Sequence, residues 1–245
     1  MTEILTIALP KGRVLRAVAP LLGRAGVDPD VLLADDRSLV REARGVGLRF
    51  LLVKPDDVAT YVEYGAAELG VCGRDTLMER SYDVYQPLDL GVGKCRMVVA
   101  GVAGKAAPAD VPRVATKYSR SAALHFARKG VQAEVIHLHG SVELAPVTGL
   151  ADLIVDLVET GETLAQNGLE ERDLVAQISS VLVANRAAYK LRQERIRPLI
   201  ETLRAVVGTR ERRASQDVYK RQVRPRASAA AIIRFSVPVT VGMSK

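Results

Sequence analysis

Cysteine is nearly absent: 245 residues contain only Cys72 and Cys95. The two have neither CxxC spacing nor a secretory context, which excludes a disulfide framework or a cysteine zinc site and leaves buried thiols as the expectation. Histidine is almost as scarce. Of His125, His137 and His139, the last two face the same way in an extended chain but have no carboxylate at ligand spacing, so no protein metal site is expected. No apolar run approaches the roughly 18 to 20 residues that span a bilayer, and the first residues lack the charged, apolar, small-residue order of a signal peptide. A soluble cytoplasmic protein with no membrane association is expected.

Net charge is also missing from most of the chain. The formal +7 resides in residues 209–245, with nine Lys or Arg against two Asp or Glu, whereas residues 1–208 hold 26 of each. No nucleic-acid partner is expected for the neutral part, and a basic nucleic-acid binder would rest on the tail alone. From Gly208 the sequence loses helical period, so residues 208–245 are expected to form an irregular basic tail. Within it residues 217–222 read DVYKRQ, which resembles the conceptual translation of a transposase adapter from sequencing libraries. The tail is therefore expected to be a sequencing chimera, the alternative being a natural, solvated charge run.

What is present is alternation. EILTIALP is a strand ending at Pro10, and GRVLRAVAPLLGRAG a helix whose Leu15, Val18, Ala19 and Leu22 share a face. LRFLLVK, AELGVCG, the run after DLGVGKC, PRVAT, AEVIHLH and LADLIVDLV are further strands, with helical stretches between them. LVAQISSVLVANR is strand-like, and AAYKLRQERIRPLIETLRAVV an amphipathic helix interrupted only at Pro198. The order predicts an α/β fold of two lobes: residues 1–90 with 181–207 returning to them, and residues 91–180, with a cleft between.

One stretch carries chemistry. Residues 152–164 read DLIVDLVETGETL. In a strand Asp152 and Asp156 share a face, and Asp156 lies near the end where ligands gather in open α/β sheets. Thr160, Gly161, Glu162 and Thr163 then lead into a helix: glycine permits close backbone approach, threonine supplies hydroxyls, and the helix start presents N–H groups to an anion. A carboxylate beside a phosphate cradle would repel phosphate but would accept hydrogen bonds from ribose hydroxyls, so a phosphoribosyl group satisfies both. The bland alternative is a helix cap by Thr160 or Thr163.

Residues 143–164, ELAPVTGLADLIVDLVETGETL, resemble the ATP phosphoribosyltransferase family. So do HGSVE, NGL, ALPKGR, ELGVCGRD and DLGVGKCR, in register over residues 4 to about 207. The resemblance implies a two-lobed fold of the periplasmic-binding-protein type II kind with a central cleft. It also implies transfer of the phosphoribosyl group of 5-phosphoribosyl 1-diphosphate to N1 of ATP, the first step of histidine biosynthesis, with substrate-bound Mg²⁺. On this footing Lys11 and Arg13 are expected at substrate phosphates, with Lys11, Glu143 and Asp156 catalytic. Arg96 is expected on adenine or phosphate oxygens, or in a salt bridge between lobes; Gly73, Arg74 and Asp75 line the nucleotide side; Glu143 or Asp156 lies near the ribose, and Asp152 is among the substrate-binding residues. Residues 208–245 leave no room for the histidine-sensing domain of longer members. The chain thus resembles the short form, whose partner is a regulatory subunit similar to histidyl-tRNA synthetase. The competing readings are another phosphoribosyltransferase, which usually places two adjacent acids before its cradle where this chain has Asp156 and Leu157, and a non-catalytic two-lobed binding module.

Overall fold

The computed structural model describes residues 4–106 and 110–223, with side chains through Thr209. Along the chain the first elements are β1 (Leu5–Pro10), α1 (Arg13–Arg24), α2 (Pro29–Leu33), β2 (Val40–Ala43), β3 (Leu48–Val53), α3 (Val58–Glu63), β4 (Leu69–Gly73), α4 (Arg74–Glu79) and β5 (Val84–Asp89). β1 is apolar on both faces because it lies between parallel neighbours, β3 and β4, and is covered above and below. The face predicted for α1 is the buried one: Leu15, Val18, Ala19 and Leu22 pack on the sheet, the leucines and Val18 each contributing about 1.5–3 kcal/mol.

A second sheet follows from β6 (Cys95–Val102), β7 (Arg113–Thr116), α5 (Ser119–Arg128), β8 (Glu134–His137), α6 (Leu144–Val147), β9 (Leu153–Val158), α7 (Glu162–Gln166) and β10 (Leu169–Ile178). Then β11 (Ser180–Asn185) returns to the first sheet, ahead of α8 (Arg186–Leu191) and α9 (Gln193–Val223). Strand order is β2-β3-β1-β4-β11-β5 in one sheet and β10-β6-β9-β7-β8 in the other. Each sheet has three adjacent parallel strands, β3-β1-β4 and β8-β7-β9, extended by antiparallel ones. Their carboxyl ends are where loops carry function in open α/β sheets.

The chain crosses between sheets twice, at residues 90–94 and at Ser179. The crossings are paired, with Leu90 N–H donating to Ser180 O at 3.0 Å and Ser180 N–H to Val92 O at 2.9 Å. The strand-like LVAQISSVLVANR is thus two strands in different sheets.

Two expectations need correction. The helix expected to be interrupted at Pro198 instead breaks at Arg192: Asn185 accepts from Ala188 N–H to start α8, and α9 runs through Pro198. The tail expected to be irregular from Gly208 is helical through Val223. The sequence of residues 208–223 lacks the apolar periodicity that signals an amphipathic helix, but it contains no proline, and its Arg, Glu, Ala, Lys and Gln residues have propensities that sustain a helix. Residues 224–245 of the tail lie outside the described residues. Both sheets belong to one compact unit ending at Val207.

Candidate active site

The start of α1, the start of β6 and the end of β9 enclose a cavity of about 270 Å³. It is lined by Arg13, Cys95, Glu143, Asp156, residues 157–161, Thr163 and Leu164. Six residues singled out from sequence therefore come together: Arg13, Glu143, Asp156, Thr160, Gly161 and Thr163. Glu162 is in the first turn of α7 beside them.

The β9–α7 loop is built around Gly161, whose φ of 91° is left-handed and puts it at the N-cap of α7. Glu162 N–H donates to Thr160 Oγ1 at 3.3 Å and Ala165 N–H to Gly161 O at 3.1 Å, while the Thr163 and Leu164 N–H groups between them have no acceptor one turn back, by the geometry of any helix start. Behind the loop, Arg96 Nη1 donates to Glu159 O at 3.1 Å and Nε to Glu171 Oε2 at 2.9 Å, while a second Arg96–Glu171 bond completes a bidentate pair. Arg96 thus braces the cradle within the second sheet; it does not line the cavity, and its ion pair does not join the sheets.

Charge in the cavity is mostly negative. Glu143, Asp156 and Glu159 line it with Arg13, the one cationic lining residue, which is ion-paired to Glu159. Burial pushes the Asp156 carboxyl up, Leu157 N–H donating at 2.8 Å opposes this, and Glu143 adds to the rise while Lys117 counters it. Glu143 stands at the N-cap of α6 without capping it, delivered by a turn in which Ser141 takes φ 50°. Cys95 is half-buried on the cavity wall and burial raises its thiol pKa; buried Cys72 is pushed up to about 12.

The remaining predicted residues lie elsewhere. Asp152 is at the opposite end of β9 from the cavity, where its Oδ2 accepts from Arg113 N–H at 2.9 Å. It shares a strand face with Asp156, but four residues of strand span about 13 Å. Lys11 lines a separate cavity of about 470 Å³ together with Arg16, Arg37 and Arg41. Arg74 pairs with Asp89 at 3.0 Å beside the crossing at Ser179, which also bonds Asp89 at 2.7 Å. Asp75 folds back over Gly73, where a Cβ would lie 2.0 Å from Asp75 Oδ1, and accepts from Tyr118 OH at 3.2 Å.

Sequence reasoning passed over Glu159, Cys95, Lys117 and Tyr118. Lys117 and Tyr118 directly follow the parallel strand β7, the same position at a strand's carboxyl end that singled out Asp156, so the signal existed. Lys117 Nζ pairs with Asp56 at 2.7 Å, another contact between elements of the two sheets. Among the described residues no cluster of three or more His, Cys, Asp or Glu is arranged for a metal, and no helix is long and apolar enough to cross a membrane.

This arrangement has known counterparts. A profile of the ATP phosphoribosyltransferase family matches residues 54–205. An ATP phosphoribosyltransferase of Sorangium cellulosum is 60% identical over 208 residues, covering 85% of this chain and 98% of the relative. One from Anaeromyxobacter sp. strain K is 54% identical over 210 residues, covering 84% and 95%. Among solved structures, the ATP phosphoribosyl transferase (HisG:HisZ) complex from Thermotoga maritima contains a chain matched with a TM-score of 0.73 at 36% identity, over 84% of this chain and 100% of that one. The periplasmic aliphatic sulphonate binding protein SsuA of Escherichia coli matches with a TM-score of 0.55 at 14% identity, over 89% and 77%, and shares the fold alone.

Proposed function

The chain belongs to the ATP phosphoribosyltransferase family, and we propose that it transfers the phosphoribosyl group of 5-phosphoribosyl 1-diphosphate to N1 of ATP, the first step of histidine biosynthesis. The observation that carries this is the pairing, in one cavity, of an N–H cradle at residues 160–163 with the acceptors Asp156 and Glu143. The cradle receives the 5-phosphate, and the carboxylates accept from ribose hydroxyls.

The C1–N1 bond forms as the C1–O bond to diphosphate breaks, and the bonding pair leaves with diphosphate. Adenine N1 already carries a lone pair, so the protein's work is to position both substrates and stabilise charge rather than to remove a proton from the nucleophile. Arg13 faces the diphosphate, and Asp156 and Glu143 face the electron-poor ribose. Mg²⁺ would enter with the diphosphate and offset its negative charge, as a hard cation that favours oxygen ligands. Asp75, with Gly73 and Arg74 around it, belongs to the nucleotide side, and Lys11 reaches phosphate from the neighbouring cavity.

The first lobe comprises residues 1–90 and 181–207 and the second residues 91–180, a division supported by sheets built from residues 5–89 with 180–185 and from residues 95–178. The chain acts in the cytoplasm with a regulatory subunit similar to histidyl-tRNA synthetase; the partner is supported by coverage of 100% of the matched chain in the Thermotoga maritima HisG:HisZ complex. The test is mass spectrometry of the full chain with ATP, 5-phosphoribosyl 1-diphosphate and Mg²⁺, with and without such a subunit. Phosphoribosyl-ATP and diphosphate in equal amounts are expected; intact substrates in both mixtures, from folded protein, would refute the assignment.

A further inference from the structure

The cation best placed for the diphosphate is already engaged. Arg13, the first residue of α1, is paired to Glu159, which follows β9 in the other sheet, and both side chains line the 270 Å³ cavity. Neither is buried, with side chains 64% and 51% exposed. Glu159 is nevertheless fixed at its main chain, because Arg96 donates to its carbonyl at 3.1 Å and is itself held by Glu171. The carboxylate therefore projects from a braced loop onto the guanidinium, and it offers the same paired oxygens that a phosphate would.

We propose that Glu159 is a built-in competitor for the anion subsite of Arg13, so that the diphosphate group captures Arg13 only by displacing the Glu159 carboxylate. This rests on the phosphoribosyl-transfer reading of the cavity. It explains why a site for a polyanion keeps three carboxylates around one cation: two of them, Asp156 and Glu143, face the sugar, and the third holds the cation until the diphosphate arrives. The pair also joins elements of the two sheets, so its exchange for substrate replaces one bridge across the cavity with another.

Because exposed ion pairs are weak, the competition costs only about two- to fivefold in affinity. Isothermal titration of the full chain with inorganic pyrophosphate in the presence of Mg²⁺ measures it. The Glu159→Gln variant is expected to bind pyrophosphate about two- to fivefold more tightly than the wild type, and Glu159→Asp, which keeps the charge, to fall between them. In an Arg13→Met background, Glu159→Gln is expected to gain nothing, since the cation competed for is gone. Urea midpoints of all variants control for folding. Equal or weaker binding by Glu159→Gln overturns the competition, and so does a gain of the same size without Arg13, which would reflect general charge removal. Binding by neither the wild type nor Glu159→Gln overturns the anion site itself, and with it the reading beneath the proposal.

Discussion

Tyr118 donates its phenolic hydrogen to Asp75 Oδ2 at 3.2 Å, linking the start of α5 on the second sheet to the first turn of α4 on the first. Both groups are largely buried; burial raises the Asp75 carboxyl, and the Tyr118 bond is the largest effect opposing it. Tyr118→Phe should cost about 1.5–3 kcal/mol at pH 7, the range for a hydrogen bond to a charged group. The bond favours the ionised carboxylate, so the loss should shrink toward pH 4. Urea unfolding at both pH values checks this.

Asp156 gives a pH dependence of definite sign. Its folded pKa lies above the unfolded value, so the folded state binds the proton more tightly. The penalty for ionising it in place is absent below the unfolded pKa, near 4, and grows as pH rises to the folded one. Asp156→Asn should therefore be more stable relative to the wild type at pH 7 than at pH 3.5, while its kcat/KM falls by about tenfold or more through lost stabilisation of the ribose. Denaturation midpoints and initial rates on the same preparations separate the two effects. A variant destabilised more at pH 7 than at pH 3.5 would contradict the sign.

Gly161 and Gly73 are constrained for different reasons. At Gly161 a Cβ would find its nearest neighbour 3.6 Å away, so space is adequate and the left-handed backbone is the obstacle. Gly161→Ala should cost about 1–2 kcal/mol of local strain and raise KM for the sugar diphosphate several-fold with little change for ATP. Gly73 has an ordinary φ of −71°, but a Cβ there would collide with Asp75. Gly73→Ala should shift the effect to the ATP side. Steady-state kinetics in each substrate distinguish the two.

The brace behind the cradle makes a further prediction. Removing Arg96 frees Glu159 O and leaves Glu171 without its partner, whose guanidinium holds that carboxyl below the usual carboxylate range. Arg96→Met should raise KM for the sugar diphosphate about tenfold by loosening the loop, and Glu171→Gln should show the same pattern more weakly. Arg96→Lys should recover only part, because an ammonium cannot make the forked contact. Unchanged KM in Arg96→Met would return Arg96 to an ordinary surface role.

The sequence pattern made β1, α1 and the central strands legible because their burial is periodic or continuous, as Leu15, Val18, Ala19 and Leu22 illustrate. Gly161 and Asp156 were legible too, since strand end, glycine and helix start follow one another within a few residues. Arg96 and Asp152 were misplaced because their partners, Glu171 and Arg113, are 75 and 39 residues away, and only the sheet pairing brings them together. Glu159 escaped for the same reason: its significance lies in Arg13, at the start of another sheet's helix. Helicity beyond Gly208 went unseen because it rests on propensity without apolar periodicity in the sequence.

A crystal structure of the full chain with 5-phosphoribosyl 1-diphosphate and Mg²⁺ tests the phosphoribosyl site most directly. The 5-phosphate is expected on the main-chain N–H groups of residues 160–163, the ribose hydroxyls toward Asp156 and Glu143, and Arg13 turned from Glu159 to the diphosphate. An ordered sugar diphosphate in the cavity of Lys11 and Arg41, with residues 160–163 unengaged and Arg13 still on Glu159, would contradict this placement.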